Sequence, residues 1–139
     1  MGNSPWDLKF FKIGGIDFDL NTIEHEILRK QFNEPRIHFA INCASISCPM
    51  LRAEAYTGDL LNQQLNEQAR LFINDTSKNI IGREELKLSK IFNWFESDFT
   101  KNGELKEFIQ PYITMDLDPN TDVSFLPYNW GLNTAIPGG

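Results

Sequence analysis

At 139 residues the chain is about one domain long, and its 41% hydrophobic content, 23% charged content and eleven Phe exclude disordered and fibrous classes. Thirteen Lys and Arg against nineteen Asp and Glu leave a net charge of −6, which excludes a large electrostatic footprint for nucleic acid or anionic lipid. No apolar run approaches the ~20 residues of a membrane-spanning helix, so membrane insertion is not expected either.

The opening Met1-Gly2-Asn3-Ser4-Pro5-Trp6 lacks the basic and apolar regions of a signal peptide, and the compartment stays open. Pro, Gly and Ser do not cluster into a linker and no repeat is present, so residues 1–139 read as a single domain. Phe10 to Ile13 and Ile16 to Phe18 flank Gly14-Gly15, a pair that adopts positive φ without strain and predicts a hairpin. Asp19 then stands where a helix from Leu20 to about Lys30 needs its cap. On that helix Leu20, Ile23, Ile27 and Leu28 form an apolar arc, with His25 and Arg29 as i, i+4 neighbours opposite it. Glu24 falls at the edge of the arc, where a carboxylate needs a partner or a raised pKa, so it enters the set of candidate acids and bases.

After Pro35, residues 36–43 are nearly continuous in apolar and β-favouring types and predict a central buried strand. Ile37, Phe39, Ile41 and Cys43 share one face of that strand; His38, Ala40 and Asn42 share the other, which becomes a candidate site wall. Pro is favoured at the first position of a helix, so Pro49 places Cys48 at a helix start, where the dipole and free N–H groups lower a thiol pKa. Cys43 and Cys48 are too few for a disulfide scaffold, and their spacing is not that of a zinc site.

Thr57 is the expected cap of a helix carrying Leu61, Leu65 and Ala69, with Leu60, Leu71 and Phe72 widening its stripe. Ile80-Ile81 and Leu86 to Leu88 predict short strands around Gly82, and Ser89 caps a helix with Ile91, Phe92, Trp94, Phe95 and Phe99. Glu104 to Ile113 predicts a further helix, disturbed near Pro111, which lacks an N–H to donate. Asp116 to Asp122 starts like a calcium loop but has Thr121 where Gly is needed and Pro127 where the bidentate Glu belongs. Val123 to Trp130 predicts an edge strand that tolerates Pro127. The pattern as a whole is α+β: a small mixed or antiparallel sheet around the 36–43 strand, with several packed helices.

Several strings in this chain resemble one family. They are Ile23-Glu24-His25-x-Ile27-Leu28-Arg29, Pro35-Arg36-Ile37-His38-Phe39-Ala40, Asn42-Cys43-Ala44-Ser45-x-x-Cys48-Pro49-x-Leu51-Arg52, the Ser89 to Phe99 stretch and Phe125-Leu126-Pro127-Tyr128-Asn129-Trp130. The family is catalogued as domain of unknown function 547, DUF547. The resemblance implies relatives in bacteria, often exported, and in plants, where a leucine-zipper segment precedes the domain and Ser can occupy the position of Cys48. Similar proteins carry a Trp-, Asn- and Tyr-rich helical stretch before the position of Trp6 that has no counterpart here. By the resemblance, part of the core is then absent or supplied by a neighbouring chain, which makes a homo-oligomer one of the expected partners.

Two functional readings follow from the residue types. In the first, a cysteine-dependent hydrolase or transferase, Cys48 attacks a carbonyl or a sulfur, His38 or His25 serves as base, and Asn42 or Glu24 orients the imidazole. Ser45 and Ser47 would hold a developing oxyanion, and Arg36 and Arg52 a substrate carboxylate, as suits a small thiol peptide of the glutathione kind. In the second reading the domain is a non-catalytic binding or scaffold module whose polar residues form a buried network and whose Cys48 is inert. A metal held by His25, His38 and Cys48 is the weaker third option, and neither a metal nor a cofactor is expected.

Overall fold

The computed structural model describes residues 4–134, so the first three residues of the opening segment lie outside it. The described residues fall into two compact units, the first ending at Pro35 and the second beginning at Arg36. The fold class is α+β: short helices with a two-stranded and a three-stranded sheet.

In the first unit the predicted hairpin is present. Strand β1 (Phe11–Ile13) pairs antiparallel with β2 (Ile16–Phe18) in the register Phe11 to Phe18 and Ile13 to Ile16. Gly14 and Gly15 hold φ of 57° and 83°, positive at both central positions as a two-residue turn of the I′ type requires. Asp19 caps the helix that follows, its Oδ1 accepting the Thr22 N–H at 2.7 Å, and this bond holds the Asp19 carboxyl below its ordinary range. Residues 20–31 are helical throughout, but Thr22–Leu28 is wound as a π-helix before α1 (Arg29–Gln31) returns to α geometry.

The second unit differs from expectation at its start. Residues 36–43 form no strand: Pro35–Phe39 is a 3-10 helix, and the chain from Ala40 to Asn42 carries no strand pairing. A Pro at the first position favours a helical turn, and in this turn His38 reaches Asp98 and Phe95 while Phe39 enters the phenylalanine cluster, so both are buried without strand pairing. The next expectation also shifts. Residues 49–57 contain no helix, and α2 (Leu61–Ile73) begins four residues beyond Thr57, whose carbonyl accepts from the Leu60 N–H instead of its side chain capping the helix.

Helix α2 buries Leu65, Ala69, Phe72 and Ile73, but also Gln64 and Gln68, while Leu61 and Leu71 face outward. The two glutamines are inward because the irregular segment before α2 leaves backbone groups that need partners. Gln64 donates to the Ala55 carbonyl at 2.9 Å and accepts from the Thr57 N–H at 3.0 Å, and Gln68 donates to the Met50 carbonyl at 2.7 Å.

Strands β3 (Ile80–Ile81) and β4 (Glu85–Leu88) pair antiparallel, and β4 pairs parallel with β5 (Asp122–Phe125), giving a mixed sheet of order β3-β4-β5. A parallel neighbour demands a long crossover. It is supplied by α3 (Lys90–Trp94), α4 (Glu96–Phe99) and α5 (Leu105–Ile109), followed by a 3-10 turn at Gln110–Tyr112 that accommodates Pro111. Ser89 caps α3 as expected, accepting from the Ile91 N–H at 3.3 Å. The hydrophobic core lies between this crossover, the sheet and α2. At its centre Phe39 is fully buried, with the rings of Phe72, Phe92, Phe99 and Phe108 at centroid distances of 5.3, 5.7, 5.7 and 6.3 Å. Asn79 links the parts: it donates to the Phe72 carbonyl and accepts from the Ser89 N–H, both at 2.8 Å and fully buried.

Candidate functional site

The loop of residues 42–49 folds back on itself because its first side chain bonds both ends. Asn42 accepts the Ala44 N–H through Oδ1 at 2.9 Å and donates through Nδ2 to the Pro49 carbonyl at 2.8 Å. Between them Ala44 sits at a φ of 61°, a left-handed conformation that costs a non-glycine residue about 1–2 kcal/mol and persists only where surrounding bonds fix it. Those bonds come from the C-terminal segment: the Asn133 N–H donates to the Ala44 carbonyl at 2.8 Å, the Ile46 N–H to the Gly131 carbonyl at 2.8 Å, and Ser45 bridges to Leu132.

This closure brings the two cysteines together. Both are free thiols, and their sulfurs stand 2.7 Å apart. The Cys43 N–H donates to the Cys48 sulfur at 2.8 Å. On its other side the Cys43 sulfur has the Ser45 hydroxyl at 3.2 Å and the Tyr128 hydroxyl at 3.5 Å, and these two hydroxyls bond each other at 2.9 Å. Tyr128 lies in the segment after β5 and is set by its neighbours, its ring 4.5 Å from Trp130 and 4.8 Å from Trp94 between centroids.

The two thiols differ in acidity. Burial pushes Cys43 up, but hydrogen bonds from Cys48, Ser45 and Tyr128 outweigh it and hold Cys43 below the ordinary thiol range. Burial first, and then the adjacent Cys43 sulfur, push Cys48 up to about 11, against the Cys43 N–H, which pulls the other way. Cys48 is 3% exposed and Cys43 half-buried, so the residue with the more acidic thiol is also the more exposed of the two. The sequence alone points to Cys48, at a helix start, as the low-pKa thiol; residues 49–57 form no helix, so that stabilisation is missing.

The remaining sequence-selected residues take other places. His38 is buried with Nε2 2.9 Å from the Asp98 carboxylate, and its ring stacks on Phe95 at 4.1 Å. Among the described residues neither sulfur has an imidazole as a hydrogen-bond partner. His25 and Glu24 belong to the first unit, where His25 Nδ1 lies 3.2 Å from the Arg29 guanidinium, the predicted i, i+4 neighbour. Arg36 donates to the Asn62 and Asn66 side chains at 2.9 and 2.7 Å, and Arg52 is clamped by Glu54 and Glu67. Ser45 is at the thiol pair, and Ser47 accepts from the Asn129 N–H at 2.8 Å, helping fix the loop. Among the described residues no group of three His, Cys, Asp or Glu is placed to hold a metal ion.

The profile described as "Protein of unknown function, DUF547" matches residues 3–73, half of the chain, and so covers the first unit, the thiol loop and α2. The chain belongs to the DUF547 family. No curated protein and no solved structure matches the chain significantly. The matched stretch of this DUF547 chain holds both cysteines, whereas Tyr128, which the sequence reading did not select for chemistry, lies outside it. Its only signal was membership of the Phe125 to Trp130 string, more than 80 residues from the thiols it meets.

Proposed function

We propose that this protein performs thiol–disulfide exchange on small disulfides of the glutathione kind, with Cys43 as the attacking thiolate and Cys48 as the resolving thiol. The observation that carries the reading is the 2.7 Å approach of the sulfur of a half-buried cysteine, held acidic, to that of a buried one held basic. The Cys43 thiolate attacks one sulfur of R–S–S–R′, forming a Cys43–S–S–R mixed disulfide and releasing R′–S⁻. That thiolate takes the Cys48 proton and leaves as R′–SH. The Cys48 thiolate, held by the Cys43 N–H, attacks the Cys43 sulfur and expels R–S⁻, which is protonated by water. The protein is left with a Cys43–Cys48 disulfide and one substrate disulfide has become two thiols; two thiol molecules run the sequence backwards and restore the dithiol.

Acyl transfer would also need a proton donor for the leaving group and a base for the deacylating water, and among the described residues neither sulfur has an imidazole or carboxylate as a hydrogen-bond partner, so a disulfide, whose thiolate leaving group needs neither, is favoured over an ester or amide. The scaffold reading accounts for His38 and Asp98 inside the aromatic core but leaves the paired thiols without a role.

The test is the pH dependence of alkylation by iodoacetamide, followed site by site by peptide mass. The reactive form is the thiolate, so each rate rises with pH through the pKa of its own sulfur. Cys43 is expected to react first, with a midpoint below that of an unperturbed thiol. Cys48 is expected to follow only as the pH nears about 11. A Cys43 midpoint at or above that of an unperturbed thiol would count against the proposal.

A further inference from the structure

A cavity of about 240 Å³ adjoins the thiol loop, lined by Ser47, Lys78, Ser89, Leu126, Pro127 and Tyr128. Two of its walls are shared with the site: Ser47 immediately precedes Cys48, and the hydroxyl of Tyr128 reaches Cys43. Its polar side chains are one cation and several hydroxyls. The Lys78 side chain is 11% exposed and its ammonium stands 3.4 Å from Asp75 Oδ2, a long contact for an ion pair. The other oxygen of Asp75 is committed to the N–H and hydroxyl of Ser77, at 2.9 and 2.6 Å. Ser47 Oγ accepts from the Asn129 N–H and Ser89 Oγ from the Ile91 N–H, and among the described residues neither hydroxyl proton has an acceptor. One nearly buried cation and two unspent hydroxyl donors, beside an apolar wall of Leu126 and Pro127, match a carboxylate on a short aliphatic arm.

We infer that this cavity binds the carboxylate of the disulfide substrate, with Lys78 supplying the charge and Ser47 and Ser89 the hydrogen bonds, while the sulfurs lie at Cys43. The inference rests on the exchange reading above and names its substrate class: small disulfides bearing a carboxylate a few atoms from sulfur. A protein with a net charge of −6 repels such anions at long range, so any preference for them must come from a local cation. The carboxylate would compete with Asp75 for Lys78.

The probes are 3,3′-dithiodipropionate, a dicarboxylate, and bis(2-hydroxyethyl) disulfide, its neutral counterpart, reacted with the full chain at low salt. The readout is the ratio of the two exchange rates. Lys78→Gln is expected to lower that ratio about 10-fold, and Lys78→Arg, which keeps the charge, to restore most of it. A ratio unchanged by Lys78→Gln, with both disulfides still reacting, would overturn the carboxylate site and leave the exchange reading standing. Failure of both disulfides to react with the unmodified protein would remove the exchange reading and this inference with it.

Discussion

Cys43→Ser is expected to abolish the proposed reaction with small disulfides, and Cys48→Ser to leave the first half of it intact. The asymmetry follows from the order of attack. Without the Cys43 sulfur the only remaining thiol is 3% exposed and held up by burial, so little of it is thiolate at neutral pH. The rate of mixed-disulfide formation is expected to fall by at least about 100-fold, because a thiolate, not a thiol or a hydroxyl, is the nucleophile. In Cys48→Ser the Cys43 thiolate still forms a mixed disulfide, aided by the Ser45 and Tyr128 hydroxyls, but nothing resolves it, and intact mass shows an adduct that persists. The sequence reading, which put the nucleophile at Cys48, requires the reverse result. Equal behaviour of the two variants would contradict the assignment of roles to the two sulfurs.

Phe39→Ala is expected to have the largest effect on stability. The ring is fully buried and meets four other phenylalanine rings, so its removal deletes apolar contact and opens a cavity that the 3-10 turn carrying it cannot easily collapse. Phe to Ala changes in such cores cost about 3–5 kcal/mol. The midpoint of urea unfolding measures it, and a loss under about 1 kcal/mol would mean that residue 39 is not at the centre of the core. His38 beside it is also buried, but its ring is tied to Asp98 and Phe95, so the two neighbours stabilise the same crossover helices by different means.

Local chemistry was legible where a residue acts on its own neighbours. Gly14-Gly15 had to turn the chain, Asp19 and Ser89 had to cap, and Ile80-Ile81 with Leu86 to Leu88 had to pair; each is found so. Residues 36–43 were misread because a short apolar run fits a buried strand and a buried helical turn equally well, and only the tertiary neighbours of His38 and Phe39 decide between them. Gln64 and Gln68 broke the stripe of α2 because their partners are backbone groups of an irregular segment with no periodic pattern. At the site, Asn42, Ser45 and Cys48 were visible as polar residues converging on one junction, but Cys43 was assigned to the strand face away from Asn42 and was not selected for chemistry, and the direction of the acidity was not visible either. It depends on Tyr128 and on the missing helix after Pro49, and neither can be read from the loop itself.

The most direct measurement is a single turnover of the fully reduced, unmodified protein with bis(2-hydroxyethyl) disulfide, with released thiol counted and the product digested for peptide mass. Resolution by Cys48 predicts two molecules of 2-mercaptoethanol per chain and one intramolecular crosslink joining the peptides of Cys43 and Cys48. Two unmodified cysteines and no released thiol at the end of the reaction would contradict it.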